Sequence, residues 1–140
     1  MQPLRIKLED GAYAPEKAHA SDAGFDLRSP VDVIVPERGQ IEIELGVAME
    51  IPAGCYGAIE SRSGLAFHNG VTCHRGIIDS GYRGFVKALL FNHSDEAYHV
   101  HKGDKICQLI IHQYKDVLPM VVDEMTDTDR GFGGFGSSGK

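Results

Sequence analysis

A chain of 140 residues suits one domain around one core, and an apolar fraction of 42% lets that core close without metals or disulfides. A formal net charge of -6 disfavours a general nucleic-acid binder, which needs a basic face to displace counterions, but leaves room for a small phosphate ligand held by a local basic cluster. No run approaches the roughly 18 consecutive apolar residues of a membrane span, no apolar stretch behind basic residues marks a secretory signal, and three irregularly spaced cysteines (Cys55, Cys73, Cys107) fit a reducing, cytoplasmic setting better than a disulfide framework.

Period-two alternation, the mark of half-buried strands, runs along most of the chain. Ile6 and Leu8 alternate with Arg5 and Lys7. Val31, Val33 and Val35 alternate up to Pro36, Ile41, Ile43 and Leu45 alternate with Glu42 and Glu44, and Val47, Met49 and Ile51 continue to Pro52. The run from Val86 to Phe91 is more continuous, which suggests burial on both faces. Tyr98 and Val100 alternate with His99 and His101, and Ile106 to Tyr114 reads as a further strand. Turn signals at Ser29-Pro30, Glu37 to Gly39, Pro52 to Gly54, Asn92 to Asp95 and Lys102 to Asp104 separate these runs. The pattern predicts an all-β sandwich or barrel of short antiparallel strands, with one short helix at Ser63 to Asn69. From Arg130 to Lys140 the chain is glycine-rich and should be mobile when alone.

Polar clusters fall at the junctions. They are Ala23 to Leu27 (AGFDL), Ser61 to Ala66 (SRSGLA), Gly76 to Gly84 (GIIDSGYRG) and Gly103 to Ile110 (GDKICQLI); the tail makes a fifth. Each has a functional and a bland reading. Arg62, Ser63 and Gly64 offer a guanidinium fork, a hydroxyl and close backbone approach to phosphate, or else a serine N-cap beside a surface arginine. Asp79 follows apolar residues that look buried, so it needs partners: a water, a sugar hydroxyl, a metal, or its own backbone in a turn. Asp26 could support a hydrated Mg2+, which takes few protein ligands, or close a strand edge. Arg130 could neutralise phosphate charge and Phe135 could stack on a base, or the tail could be a linker. Neither Cys73-His74 nor His99-x-His101 has zinc-site spacing.

The order and content of the five clusters resemble the five motifs of the trimeric deoxyuridine triphosphatase (dUTPase) family across nearly the whole chain. The resemblance implies a jelly-roll-like β-barrel or sandwich of the β-clip type over residues 1–129, with a tail at 130–140 that closes over a neighbour's site in a homotrimer. It also implies hydrolysis of dUTP to dUMP and pyrophosphate with Mg2+, with no nucleic-acid or membrane partner. Arg62, Ser63, Gly64 and Gln108 would then contact phosphates. Asp79 would align water and meet the 3′-hydroxyl, Tyr82 would pack under the deoxyribose, and Asp26 would hold the hydrated Mg2+ through water. The hairpin from Cys73 to Lys87 would read uracil through its backbone, with Ile77 and Ile78 lining the slot. Arg130 would close on the phosphates, and Phe135, followed by Gly136, would stack on the base.

Three positions depart from the common pattern. Cys73 stands where many bacterial members have asparagine, Phe85 where a polar residue is common, and Cys107 where alanine is frequent. Two rivals are weighed beside the resemblance. A dCTP deaminase shares the fold and the Arg-Ser motif, but needs a glutamate after the third motif, and Phe85 to Leu90 contains no acid. A regulatory binding protein could retain the fold and signal through nucleotide-dependent contacts.

Overall fold

The computed structural model describes residues 1–139. It is built almost wholly from short antiparallel strands: β1 (Arg5–Leu8), β2 (Gly24–Arg28), β3 (Val33–Val35), β4 (Gln40–Glu44), β5 (Val47–Glu50), β6 (Cys55–Glu60), β7 (Val71–Cys73), β8 (Gly76–Ile78), β9 (Lys87–Asn92), β10 (Tyr98–Val100) and β11 (Lys105–Gln113). The single helix among the described residues, α1, spans Ser63–Asn69, the place expected for it although the chain shows no sustained helical period. Gly70 stops it in the left-handed region at φ 66°, its N–H bonding back to the carbonyls of Leu65 and Ala66. Arg62, not Ser63, takes the N-cap position, with extended backbone and no side-chain capping bond, so the serine-cap reading fails.

A four-stranded sheet in the order β2-β11-β6-β8 packs with a three-stranded sheet β4-β9-β7, and the pairs β1-β5 and β3-β10 flank them. The sheets do not close into a barrel. Leu27, Val35, Ile59, Leu90, Ile106 and Leu109 are among the fully buried side chains between the layers. The continuous run of β9 is buried on one face only: Ala88, Leu90 and Asn92 point inward, while Leu89 and Phe91 stay half-exposed.

Four strands escape the alternation argument. β2 lies inside a motif that reads as a polar cluster, and β7 and β8 are only three residues long. In β6 a glycine interrupts the pattern. A Cβ on Gly57 would lie 2.9 Å from Leu109 Cδ1 and 3.1 Å from Ile51 Cδ1, so glycine is what lets β6 pack in the middle of its sheet. After β11, residues 114–139 form no helix or strand.

Candidate active site

Two depressions carry the polar motifs. The first, about 340 Å³, is lined by Ala18, Asp22, Gly24, Asp26, Arg62, Ser63, Gly64 and Gln108, among others. Strand register explains their convergence. Gln108 stands opposite Asp26 on β2 and opposite Glu60 on β6, so motifs remote in sequence meet across three neighbouring strands. Arg62 and Ser63 follow directly where β6 turns into α1. The first N–H groups of a helix have no intrahelical acceptor, and the first such bond in α1 comes from Ala66 N–H to Arg62 O. The backbone at Ser63 and Gly64 therefore has donors to spare beside a guanidinium.

Asp26 is held from two sides. Arg62 Nε donates to Oδ1 at 3.0 Å, and Lys105 Nζ lies 2.7 Å from Oδ2. Its side chain is only 14% exposed. Gln108 donates from Nε2 to Ser61 O at 2.9 Å, and its Oε1 lies where a Cβ on Gly24 would sit, 2.1 Å away. Glycine at position 24 is thus the space into which the Gln108 carboxamide folds. Asp22 and Lys105 were not singled out by sequence reasoning. Neither stands in a spacing that signals a site; Asp22 reaches the depression through the loop before β2, and Lys105 reaches Asp26, behind that lining, through the register of β11.

The second depression, about 270 Å³, runs between β8 and the start of β9. Gly76, Ile77, Ile78, Asp79, Tyr82, Phe85, Val86 and Lys87 line it with Ile59. β8 pairs with β6 on one side only and is the edge of its sheet. The outer N–H and C=O groups of β8 therefore have no strand partner among the described residues. Tyr82 donates from its hydroxyl to Phe85 O at 3.2 Å, and a Cβ on Gly84 would lie 2.3 Å from that hydroxyl oxygen and 2.5 Å from the ring carbon Cζ. Glycine at 84 lets the tyrosine fold across the hairpin.

Several expected site residues sit differently. Asp79 is exposed, not buried; its carbonyl accepts from Tyr82 N–H in a turn, and its carboxylate has no hydrogen bond among the described residues. Ile77 is exposed beside it while Ile78 is buried. Cys73 does not line the slot: it is buried at 7% exposure, and both its backbone groups are engaged by Ser61 Oγ, at 2.9 Å from the N–H and 3.2 Å to the carbonyl. Hydrogen bonding with Cys107 lowers the Cys73 thiol below its usual range, and the same contact together with burial raises Cys107 well above it. Lys87 directs its ammonium to Glu42 at 2.6 Å, and that hydrogen bond pushes its pKa up. Arg130, Phe135 and Gly136 are exposed, and Arg130 Nε bonds only the nearby Gly133 carbonyl.

The two depressions do not meet within one chain. Ile78, before Asp79, pairs with Gly57 near the start of β6, whereas Arg62 lies beyond its other end. The slot reaches back to Gly76, which pairs with Ile59 three residues before Arg62, and no residue lines both depressions.

An open β-clip sandwich carrying a donor-rich depression and an edge-strand slot defines a nucleotide-binding class of protein. The dUTPase family model matches residues 10–139, and the chain belongs to that family. It is 44% identical over 133 residues to the deoxyuridine 5'-triphosphate nucleotidohydrolase of Paramecium bursaria Chlorella virus 1, covering 95% of this chain and 94% of the relative. It is 40% identical over 138 residues to that of Saccharomyces cerevisiae, covering 97% and 94%. Among solved structures, the Staphylococcus bacteriophage 80alpha dUTPase with dUpNHpp superposes with a TM-score of 0.94 at 29% identity, covering all of both chains.

Proposed function

We propose that this chain hydrolyses dUTP to dUMP and pyrophosphate, limiting uracil in DNA and supplying dUMP for dTMP synthesis. The observation that carries the reading is the division of the surface into a phosphate-type depression at Arg62, Ser63, Gly64 and Gln108 and a nucleoside-sized slot along the free edge of β8. In this reading Arg62, Gln108 and the free N–H groups at the start of α1 bind phosphate oxygens. The unpaired backbone of Gly76 to Ile78 reads uracil, and Tyr82 packs against the deoxyribose and leaves no room for a 2′-hydroxyl. Asp79, whose carboxylate is free to accept, aligns a water for in-line attack on the α-phosphorus. Catalysis of this kind is chiefly positioning and charge stabilisation. Arg130 adds a cation at the phosphates, Phe135 stacks on the base at Gly136, and the tail covering the site excludes bulk water.

The expected cofactor is Mg2+. No cluster of three or more His, Cys, Asp or Glu side chains occurs among the described residues, so a cage of protein ligands does not fit. Asp22 and Asp26, lining the depression that would receive the phosphates, do fit a hydrated ion carried mainly by substrate. Both Asp26 oxygens already hold cations, so that carboxylate would reach the ion through water. When bound, Mg2+ would reduce the mutual repulsion of the phosphates.

The separation of the two depressions supports a homotrimer with sites shared between subunits. In one chain Asp79 and Arg62 line different depressions; in an assembly, the slot of one subunit can face the phosphate depression of another. The exposed apolar stretch with Val117, Leu118, Met120, Val121 and Met125 ahead of the tail supports the same reading, since such a surface calls for a cover. No helix of the described residues is long and apolar enough to cross a membrane, and a cytoplasmic site of action is proposed.

Steady-state pyrophosphate release from dUTP, dTTP, dCTP and UTP side by side tests the function. dUTP should be strongly preferred. Comparable turnover of UTP would overturn the role of Tyr82, and ammonia release from dCTP would favour the deaminase reading, which the absence of an acid in Phe85 to Leu90 opposes.

A further inference from the structure

The charge cluster at Asp26 contains a residue that the proposed mechanism does not use. Asp26 faces a depression meant for a polyanion, where a bare carboxylate would repel the ligand. Arg62 alone cannot both neutralise Asp26 and remain a full cation for phosphate. It spends Nε on Asp26 Oδ1 at 3.0 Å and Nη1 on the Lys105 carbonyl at 3.3 Å, which leaves Nη2. Lys105 supplies the second cation, 2.7 Å from Asp26 Oδ2 and 30% exposed.

The backbone is shaped to bring Lys105 there. Along β11, Gln108 pairs with Asp26 and Cys107 with Leu27, so strict alternation would send Lys105 to the core face with Cys107 and Leu109. The register shifts between Lys105 and Cys107, and Lys105 pairs with Arg28. This irregularity takes one extra residue, Ile106, into the core, where it is 1% exposed. It returns Lys105 to the face that Asp26 shares with Gln108. Bulges re-aim side chains in this way.

We propose that Lys105 is a positioning residue of the phosphate depression. It neutralises Asp26 from the side away from Arg62, fixes that carboxylate as the anchor of the guanidinium, and leaves the charge of Arg62 for the triphosphate. Lys105 does not line the depression itself, so it acts through Asp26. The inference rests on the phosphate-binding reading above.

The test is a double-mutant cycle on the full chain, read by KM and kcat for dUTP and by calorimetric binding of inorganic tripolyphosphate. Lys105→Met should raise KM and weaken tripolyphosphate about fivefold or more, with a smaller change in kcat, and Lys105→Arg should restore both. In an Asp26→Asn background, where no carboxylate remains to neutralise, Lys105→Met should change little. If Lys105→Met costs as much in that background as in the parent, Lys105 only supports the packing of β11 and the proposal falls. Tripolyphosphate keeps two failures apart. A parent chain that does not turn over dUTP overturns the functional reading, whereas a tripolyphosphate affinity indifferent to Lys105→Met overturns this one.

Discussion

Asp79 and Gly24 show two ways a single residue can matter. Asp79 contributes little visible to the fold: its carboxylate is exposed and without a hydrogen bond among the described residues, so its value lies in being free to accept. Asp79→Asn keeps the shape but removes the charge that would orient a water. Its melting temperature and its affinity for a non-hydrolysable dUTP analogue should stay near those of the parent, while kcat drops by about 10² or more; parent-like turnover would remove Asp79 from the mechanism. Gly24 is the opposite case, an absence of atoms. A methyl group there would lie 2.1 Å from Gln108 Oε1, and the flexible carboxamide would give way and lose its bond to Ser61 O. Gly24→Ala should therefore cost only about 0.5–1.5 kcal/mol in denaturant unfolding, the worth of one hydrogen bond, but raise KM for dUTP severalfold. A variant with unchanged KM would show that the Gln108 carboxamide does not serve the phosphates.

At the scale of elements, the body and the segment after it behave differently. Strands β2, β11, β6 and β8 lock Asp26, Gln108 and Glu60 in register, and each is tied to its neighbour by a continuous ladder or one interrupted by a single irregularity. The hydrogen bonds of Thr128 to Gly139, by contrast, are all local turns. Removing residues 130–140 should therefore leave the melting temperature of the body unchanged. If Arg130 and Phe135 close over the bound nucleotide, the same deletion should reduce turnover about 10³-fold or more, the range of a supplied arginine. A truncated chain with parent-like activity would reduce the tail to a linker.

For the whole molecule, the question is where the two halves of the site meet. If the slot along β8 takes the nucleoside and the depression at Arg62 the phosphates, two places that share no lining residue, another copy can supply the missing half. Light scattering should give a trimer. A sharper check uses two crippled chains, Asp79→Asn and Arg62→Ala, refolded together. If slot and phosphate depression come from different subunits, mixed trimers contain some sites with both wild-type halves, and part of the activity returns. Activity that never exceeds the sum of the two separate variants would place both halves in one subunit.

What the sequence by itself determined follows from short-range rules. Apolar patterning located seven of the strands, six of which bury side chains while β1 stays exposed at every position, and the glycine at position 70 ended the helix because glycine adopts the left-handed backbone at no steric cost. The five motifs were legible through their order, which is how the family was recognised. Strands β6, β7 and β8 were not legible, since three residues carry no period and Gly57 is explained only by the side chains of Leu109 and Ile51 packed against it. Tertiary structure alone decided that Cys73 is buried against Cys107 and Ser61 and does not line the depression along β8, that Asp79 is exposed, and that Lys105 joins Asp26 and Arg62 through a shift in strand register. It also decided that the polar motifs, interleaved along the chain, fall into two depressions with no shared lining residue. Alternation assigns a side chain to a face, but which faces meet is set by pairing across strands far apart in sequence, and that is a property of the packed sheet.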